Sequence, residues 1–362
     1  MKNKHIDNSA LELKQYAGIR GLAELPYFEM TDDGLLRLTV DGLNSGVDGH
    51  THFAINALDG PKPDLLKRHP ETKYYLDIKS PILMNNYMGQ NNTEQDLANM
   101  TMSMLSSLTP EGSVFTNTHT IPNLIAEMDL LNIDKAVVLP IAFGFPYGDD
   151  ITEWYLDAIE RSGKKDRFII CGSVKPTLPD AVKKTKQLKL KGVKGIKVHP
   201  NMALFTPNDR LAWAFYEECS RLGLPLLLHC GLVGKESADP DKTMGYTGRH
   251  ADINNFFEPI AAFPSLHFVL CHSGGLQNNI AIDIARKNEN VWLDIQGQSV
   301  GNIRTMIKEL GPERLMFGSD WPFFAVASLL ARLLIATEGD KTIRKMIYSE
   351  NALRFWGLVS LG

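Results

Sequence analysis

Downstream of residue 120, short apolar runs alternate with segments of helical periodicity, and this alternation constrains the fold more than any other feature of the chain. The helical stretches Pro122 to Leu131, Trp154 to Arg161, Pro179 to Leu190 and Asp209 to Leu222 each precede a run that reads as a buried strand: Lys135 to Ile141, Arg167 to Val174, Val193 to Pro200 and Leu224 to Gly231. Three further runs follow, Leu266 to His272, Val291 to Ile295 and Arg314 to Asp320. Apolar strands separated by helices are parallel strands joined by crossovers, because tight turns cannot link them. With Val47 to Phe53 there are eight. Eight such units predict an α/β fold, a (β/α)8 TIM barrel, which typically takes about 250 residues before insertions. The competing open, doubly wound sheet in its dinucleotide-binding form would need a Gly-x-Gly-x-x-Gly after the first strand, and none is present.

The 362 residues then divide into an N-terminal arm, 1–46, and the barrel, 47–362, with a long insertion at about 54–120. In the arm, Tyr27 to Met30 and Leu35 to Val40 flank Thr31-Asp32-Asp33-Gly34, whose Asp-Gly predicts a hairpin. The insertion carries Gly60-Pro61-Lys62-Pro63, then Tyr74, Tyr75, Asn85, Asn86, Tyr87 and Met88, and a helical Thr93 to Leu108. So long a connection is usually functional or disordered, and its aromatic and amide content predicts an ordered lid. A net charge of −4 with scattered Lys and Arg leaves no footprint of nucleic-acid binding, so the expected partner is a small molecule. The most apolar run, Ala325 to Ala336, is broken by Arg332 and too short for a bilayer, and no apolar segment follows Met1-Lys2-Asn3-Lys4. A cytoplasmic protein without a membrane partner is expected, and a homo-oligomer is compatible with the sequence. Cys171, Cys219, Cys230 and Cys271 have no close-spaced pairs and read as reduced thiols.

Active sites of such barrels lie at the C-terminal ends of the strands, and the polar residues gather there. His50 and His52 end the first strand, His199 the fourth, His229 the fifth, His272 the sixth and Asp320 the eighth. Five of the ten histidines thus close strands, whereas His5, His69, His119, His250 and His267 read as surface, loop or structural residues. Residues two apart on a strand share a face, with Cα atoms about 6.6 Å apart, so His50 and His52 can converge on one ion. Asp48 and Gly49, poor strand formers, would place that pair at a polar, irregular margin. Taken singly, His229 reads as a hydrogen-bonded core histidine, His272 as a strand cap and Asp320 as a helix N-cap. Ringed around one barrel mouth, three imidazoles and a carboxylate match zinc or a similar divalent ion with a position left open for water.

These residues resemble a known family. His50-Thr51-His52, His229, His272 and Gly318-Ser319-Asp320-Trp321-Pro322, in that order, look like the metal-dependent amidohydrolase superfamily. Within it they resemble the branch of aminocarboxymuconate-semialdehyde decarboxylase, resorcylate-type decarboxylases and several lactonases. Met128 to Pro140, Gly195 to Pro200 and Glu350 to Leu358 extend the similarity, which covers residues 47–358. It implies one divalent metal ion held by His50, His52, His229 and Asp320, with zinc expected and manganese, iron or cobalt as alternatives. It also implies that Asp320 and His272 are catalytic, Asp320 taking a proton from metal-activated water and His272 acting as acid/base or polarising group. The expected function is hydrolysis of an ester, lactone or amide bond of a small, carboxylate-bearing molecule by metal-bound hydroxide. The alternative is non-oxidative decarboxylation with the same metal set. A non-catalytic metal-binding barrel is a third reading, in which Asp320 and His272 would have no work as proton carriers.

The fourth strand leaves two readings open. Pro200 lacks an N–H and ends the pairing, so His199 lies at the rim with Lys197 one pleat deeper. Other branches of the superfamily carry a carboxylated lysine here that bridges two metals; the opposing reading of Lys197 is a buried lysine paired with a carboxylate or a substrate anion. His199, Lys197, Trp321 and Arg249 are the substrate-binding candidates, Arg249 for a bidentate contact with a substrate carboxylate. Arg249 and Lys235, in the loop after the fifth strand with His250, also read as solvated charges. Asn86, Tyr87, Phe143, Phe145 and Tyr147 read as pocket walls or as core packing.

Overall fold

The computed structural model describes residues 8–55, 62–106, 109, 111–142, 151–233 and 249–358. The eight barrel strands are β1 (Gly46–Thr51), β2 (Ile133–Val138), β3 (Phe168–Ile170, continued by Gly172–Ser173), β4 (Ile196–Val198), β5 (Leu226–His229), β6 (Phe268–Cys271), β7 (Val291–Asp294) and β8 (Leu315–Met316). Each pairs in parallel with the next in sequence. Hydrogen bonds from Gly49 N to Phe317 O (2.8 Å), Asp320 N to His50 O (2.8 Å) and His52 N to Trp321 O (2.7 Å) close the ring between β8 and β1. The chain is therefore a (β/α)8 barrel.

Side-chain alternation sorts the core into two parts. Leu226, Leu228, Phe268 and Leu270 face the helices. Leu227, Val269, Trp292 and Met316 fill the barrel interior with Val47, Val137, Leu139 and Ile169. Lys197 is in register with Leu227 and only 1% exposed, so a lysine occupies an interior position. The helices Ile121–Leu130, Ile151–Ser162, Ala181–Leu190 and Trp213–Leu222 supply the crossovers between β2, β3, β4 and β5 or lead into them. Asp209 lies outside the last of these. Its carboxylate accepts from Leu211 N at 2.9 Å and caps a 3-10 turn instead.

One expectation is corrected at β1. Asp48 and Gly49 lie inside the strand and are buried, not at a polar margin. A Cβ on Gly49 would sit 2.8 Å from Phe317 O, so only glycine lets β1 and β8 close. Asp48 accepts from His50 N (3.2 Å) and Ser319 N (2.9 Å), tying the two strand ends that carry His50 and Asp320. The register of β1 against β2 shifts between Asp48 and Thr51, an irregularity of the kind that re-aims side chains near active sites.

In the arm, Phe28–Met30 pairs antiparallel with Leu36–Leu38 around the Asp-Gly turn. Within the insertion, Ile82–Leu83 pairs with Gln15–Tyr16, and a helix spans Glu94–Ser106. The insertion is fastened to the loop after β7 by Met88 N to Gly297 O (2.7 Å) and Val300 N to Met84 O (3.1 Å). Among the described residues no helix is long and apolar enough to cross a membrane. The four cysteines are free and buried.

Candidate active site

At the C-terminal mouth, His50, His52 and Asp320 bring one ligand atom each to within 4.8 Å of one another, all three buried. His50 Nδ1 lies 2.8 Å from Asp294 Oδ2, and His52 Nδ1 lies 2.5 Å from Leu139 O. Both partners are acceptors, so each ring carries its proton on Nδ1 and turns the Nε2 lone pair inward. There the two Nε2 atoms meet Asp320 Oδ1, at 3.5 Å from His50 and 3.1 Å from His52. Burial first, then the charge of Lys197, holds His50 well below the ordinary imidazole range, so it stays neutral. Two ring nitrogens and a carboxylate oxygen face one point, with Lys197 Nζ 3.2 Å from His50 Nε2. The donor set thus fits a divalent ion, with Asp294 and Leu139 orienting the imidazoles as outer partners of metal-bound histidines do.

A second chain of contacts runs beside the first. His272 Nδ1 meets Gln296 Oε1, and His272 Nε2 lies 2.8 Å from His229 Nδ1. The amide oxygen of Gln296 fixes the His272 proton on Nδ1, so His229 donates to His272 and its own Nε2 carries a lone pair. That Nε2 is buried without a hydrogen-bond partner. His229 is also stacked on His199, with ring centroids 3.8 Å apart and planes 13° from parallel. His199 Nδ1 accepts from Met202 N at 3.4 Å and so caps the short helix Pro200–Ala203. Gln296 Nε2 donates to Asp320 Oδ2 at 3.1 Å, which joins the two chains. Burial lowers the His272 imidazole to about 4 despite the nearby Asp320 charge, so it is neutral at pH 7.

Backbone strain marks the same positions. His272 and Asp320 adopt φ of 65° and 61°, left-handed values that non-glycine residues rarely take. Cys271 already points into the barrel, and the left-handed step lets its neighbour His272 reach the interior too. A Cβ on Gly318 would come 2.8 Å from His50 Cβ, so the turn into Asp320 needs glycine for close approach.

The structure brings together His50, His52, His199, His229, His272, Lys197 and Asp320, and places the other candidates differently. Trp321 is completely buried, with its ring near His119, and its Nε1 donates to Glu127 Oε1 at 2.7 Å. It braces Asp320 from behind, and Phe323 takes the place beside His52 at 6.0 Å. Arg249 is exposed, its carbonyl accepting from Asn255 Nδ2 at 2.9 Å. Tyr87 is buried near the cluster: burial, then the charges of Asp320 and Asp294, raise its phenol well above the ordinary value. Asn86 offers its carbonyl to Arg332. Phe143, Phe145, Tyr147 and Lys235 lie outside the described residues. Sequence reasoning passed over Asp294 and Gln296. Their signal was present, an Asp and two Gln in Asp294-Ile295-Gln296-Gly297-Gln298, closing one of the three apolar runs to which no function had been given.

Behind Trp321, Glu127 also accepts from Tyr74 Oη (2.7 Å) and Val326 N (3.2 Å) and borders a cavity of about 140 Å³ lined by Arg20, Arg68 and Asn123. Burial pushes its carboxyl up to about 7, although its three donors pull the other way. The folded value lies above the ordinary 4.5, so the contribution of this group to stability is full below about pH 4.5 and lost as pH rises to 7. Glu127→Gln removes that titration. Urea unfolding of both proteins at pH 4.5 and pH 7 should show a smaller fall in stability for the variant; an equal fall would contradict this account.

A closed barrel with a buried imidazole and carboxylate cluster at its mouth defines the class of metal-binding barrel enzymes. The chain belongs to the amidohydrolase family, whose model matches residues 47–358. Solved structures of similar fold include 5-carboxyvanillate decarboxylase from Sphingomonas paucimobilis, with a TM-score of 0.60 and 15% identity over 87% of this chain and 99% of that one. A dihydroxybenzoic acid decarboxylase from Polaromonas, solved with manganese and 2-nitroresorcinol, has a TM-score of 0.56 and 15% identity over 87% and 98%. A probable 2-pyrone-4,6-dicarboxylic acid hydrolase from Acinetobacter baumannii, with citric acid bound, has a TM-score of 0.53 and 14% identity over 86% and 99%. No curated protein matches the chain by sequence.

Proposed function

We propose that this enzyme is a hydrolase that holds one divalent metal ion, zinc or else manganese, iron or cobalt, and cleaves an ester, lactone or amide bond of a small carboxylate-bearing molecule. The supporting observation is the convergence of the buried His50 Nε2, His52 Nε2 and Asp320 Oδ1, with the unpartnered His229 Nε2 at the same mouth. These four side chains hold the ion. When bound, it would polarise a carbonyl and acidify a water. Asp320 takes the proton of the attacking water and returns it to the leaving group. Gln296 keeps Asp320 and His272 in fixed relation through one amide.

Decarboxylation is the second reading, favoured by the fold shared with carboxyvanillate and dihydroxybenzoate decarboxylases. It requires an acid that delivers a proton to carbon. Elemental analysis is expected to find close to one divalent ion per wild-type chain and none in a His50→Ala, His52→Ala double variant. Ester, lactone and aromatic carboxylate panels then separate the reactions. Acid release without CO2 supports hydrolysis, and CO2 release from a carboxylate without acid release replaces it with decarboxylation.

A further inference from the structure

One polar side chain of the insertion is left unused by the proposed reaction. Tyr87 is only 5% exposed, yet its hydroxyl makes no hydrogen bond among the described residues. Nor is that oxygen sealed in, as the orphaned His229 Nε2 is, so it faces open space. Its neighbours show which space. A Cβ on Gly297 would meet Tyr87 Cε2, Cζ and Oη at 2.6, 2.7 and 2.8 Å, so the phenol end rests on the main chain one residue beyond the Gln296 that joins Asp320 to His272. The groups whose charge raises the phenol are Asp320 beyond β8, Asp294 on β7 and Cys230 after β5. An oxygen open to space among those strand ends faces the barrel mouth. The segment that carries it is fixed. Tyr87 N donates to Gln90 Oε1 (3.0 Å) and Met88 N to Gly297 O (2.7 Å), while Arg332 binds both Asn86 O (2.7 Å) and Gly297 O (3.1 Å).

We propose that Tyr87 is a substrate-contacting residue: its phenol donates a hydrogen bond to a carboxylate oxygen of the bound substrate, so the insertion carries part of the specificity of the site. This rests on the mouth being the metal-dependent active site proposed above. A phenol is protonated at neutral pH and is a donor there. Its strongest partner is an anionic oxygen, because charge-assisted hydrogen bonds are about twice as strong as neutral ones. Being uncharged, it recognises a carboxylate without forming an ion pair with Asp320 or Asp294, as an arginine in its place would. A ring already held by the clamp around Gly297 loses little freedom when the substrate arrives.

The test is calorimetric titration of zinc-loaded wild type and Tyr87→Phe with malonate, succinate, glutarate and adipate, a series that spans the distance between metal and phenol, and with acetate, which has a single carboxylate for the metal. The variant removes one oxygen and keeps the ring on Gly297. Its affinity for the tightest dicarboxylate should fall about 10- to 100-fold, the effect of losing a hydrogen bond to a charged group, while its affinity for acetate changes less than about twofold. That dicarboxylate, but not acetate, should also produce a near-ultraviolet tyrosine difference band in wild type, a readout that serves even if the variant does not fold. Unchanged dicarboxylate affinity in Tyr87→Phe, or an equal loss for acetate and dicarboxylate, overturns the proposal. So does a wild-type protein that holds zinc and binds no dicarboxylate, or binds one without the band. Wild type that takes up no zinc overturns the metal site itself.

Discussion

Asp320→Asn is expected to leave the fold intact and lower kcat/KM by roughly 100- to 10,000-fold, the range for removal of a positioned proton carrier. The substitution is close to isosteric, and asparagine tolerates the left-handed φ of 61° that this position requires. The main-chain bond from residue 320 N to His50 O survives. What is lost is the charge that faces His50 and His52. The carboxamide cannot take a proton from water, and where its nitrogen meets Gln296 Nε2, now 3.1 Å from Asp320 Oδ2, donor opposes donor. Metal content should fall with activity. Far-ultraviolet circular dichroism equal to wild type, with kcat/KM reduced less than about tenfold, would remove Asp320 from its assigned role.

Arg332→Ala carries the largest expected effect on stability. This guanidinium, fully buried, reaches Asn86 O (2.7 Å), Gln298 O (2.9 Å) and Gly297 O (3.1 Å) through Nη1 and Leu83 O (3.0 Å) through Nη2. It clamps the insertion to the loop after β7. Burial lowers its pKa to about 9, so the charge is costly to keep and is sustained by the carbonyl dipoles around it. Truncation leaves several buried acceptors unpaired and opens a cavity, a loss of about 3–5 kcal/mol. Arg332→Lys keeps a charge but lacks the planar fork that spans both segments, so it should restore only part of the loss. Urea unfolding measures both; a loss under about 1 kcal/mol for Arg332→Ala would show that the clamp contributes little.

Much of the architecture was legible before any coordinates. Apolar runs such as Leu226-Leu227-Leu228 and Phe268-Val269-Leu270, spaced by helical periods, can be buried only as parallel strands, and eight of them close a ring. Strand-end position singled out His50, His52, His199, His229, His272 and Asp320, because in a barrel every strand end faces the same opening. Asp48 was misread for a local reason: propensity treats Asp and Gly as strand breakers, while here β1 and β8 approach so closely that only glycine fits, and the Asp carboxylate ties their ends. Trp321 was misread because adjacency to Asp320 says nothing of direction, and the indole turns back to Glu127, far away in sequence.

Residue types and their order along the strands were enough to determine the barrel and the chemical make-up of its mouth, since both follow from periodicity and from one architectural rule. Only the tertiary structure decided which nitrogen of each imidazole faces inward, that Asp294 and Gln296 orient the cluster, and that Lys197 sits between His50 and Cys271. Tautomer, side-chain direction and the filling of the inner layer depend on distances between strands separated by up to hundreds of residues. No local pattern encodes those distances.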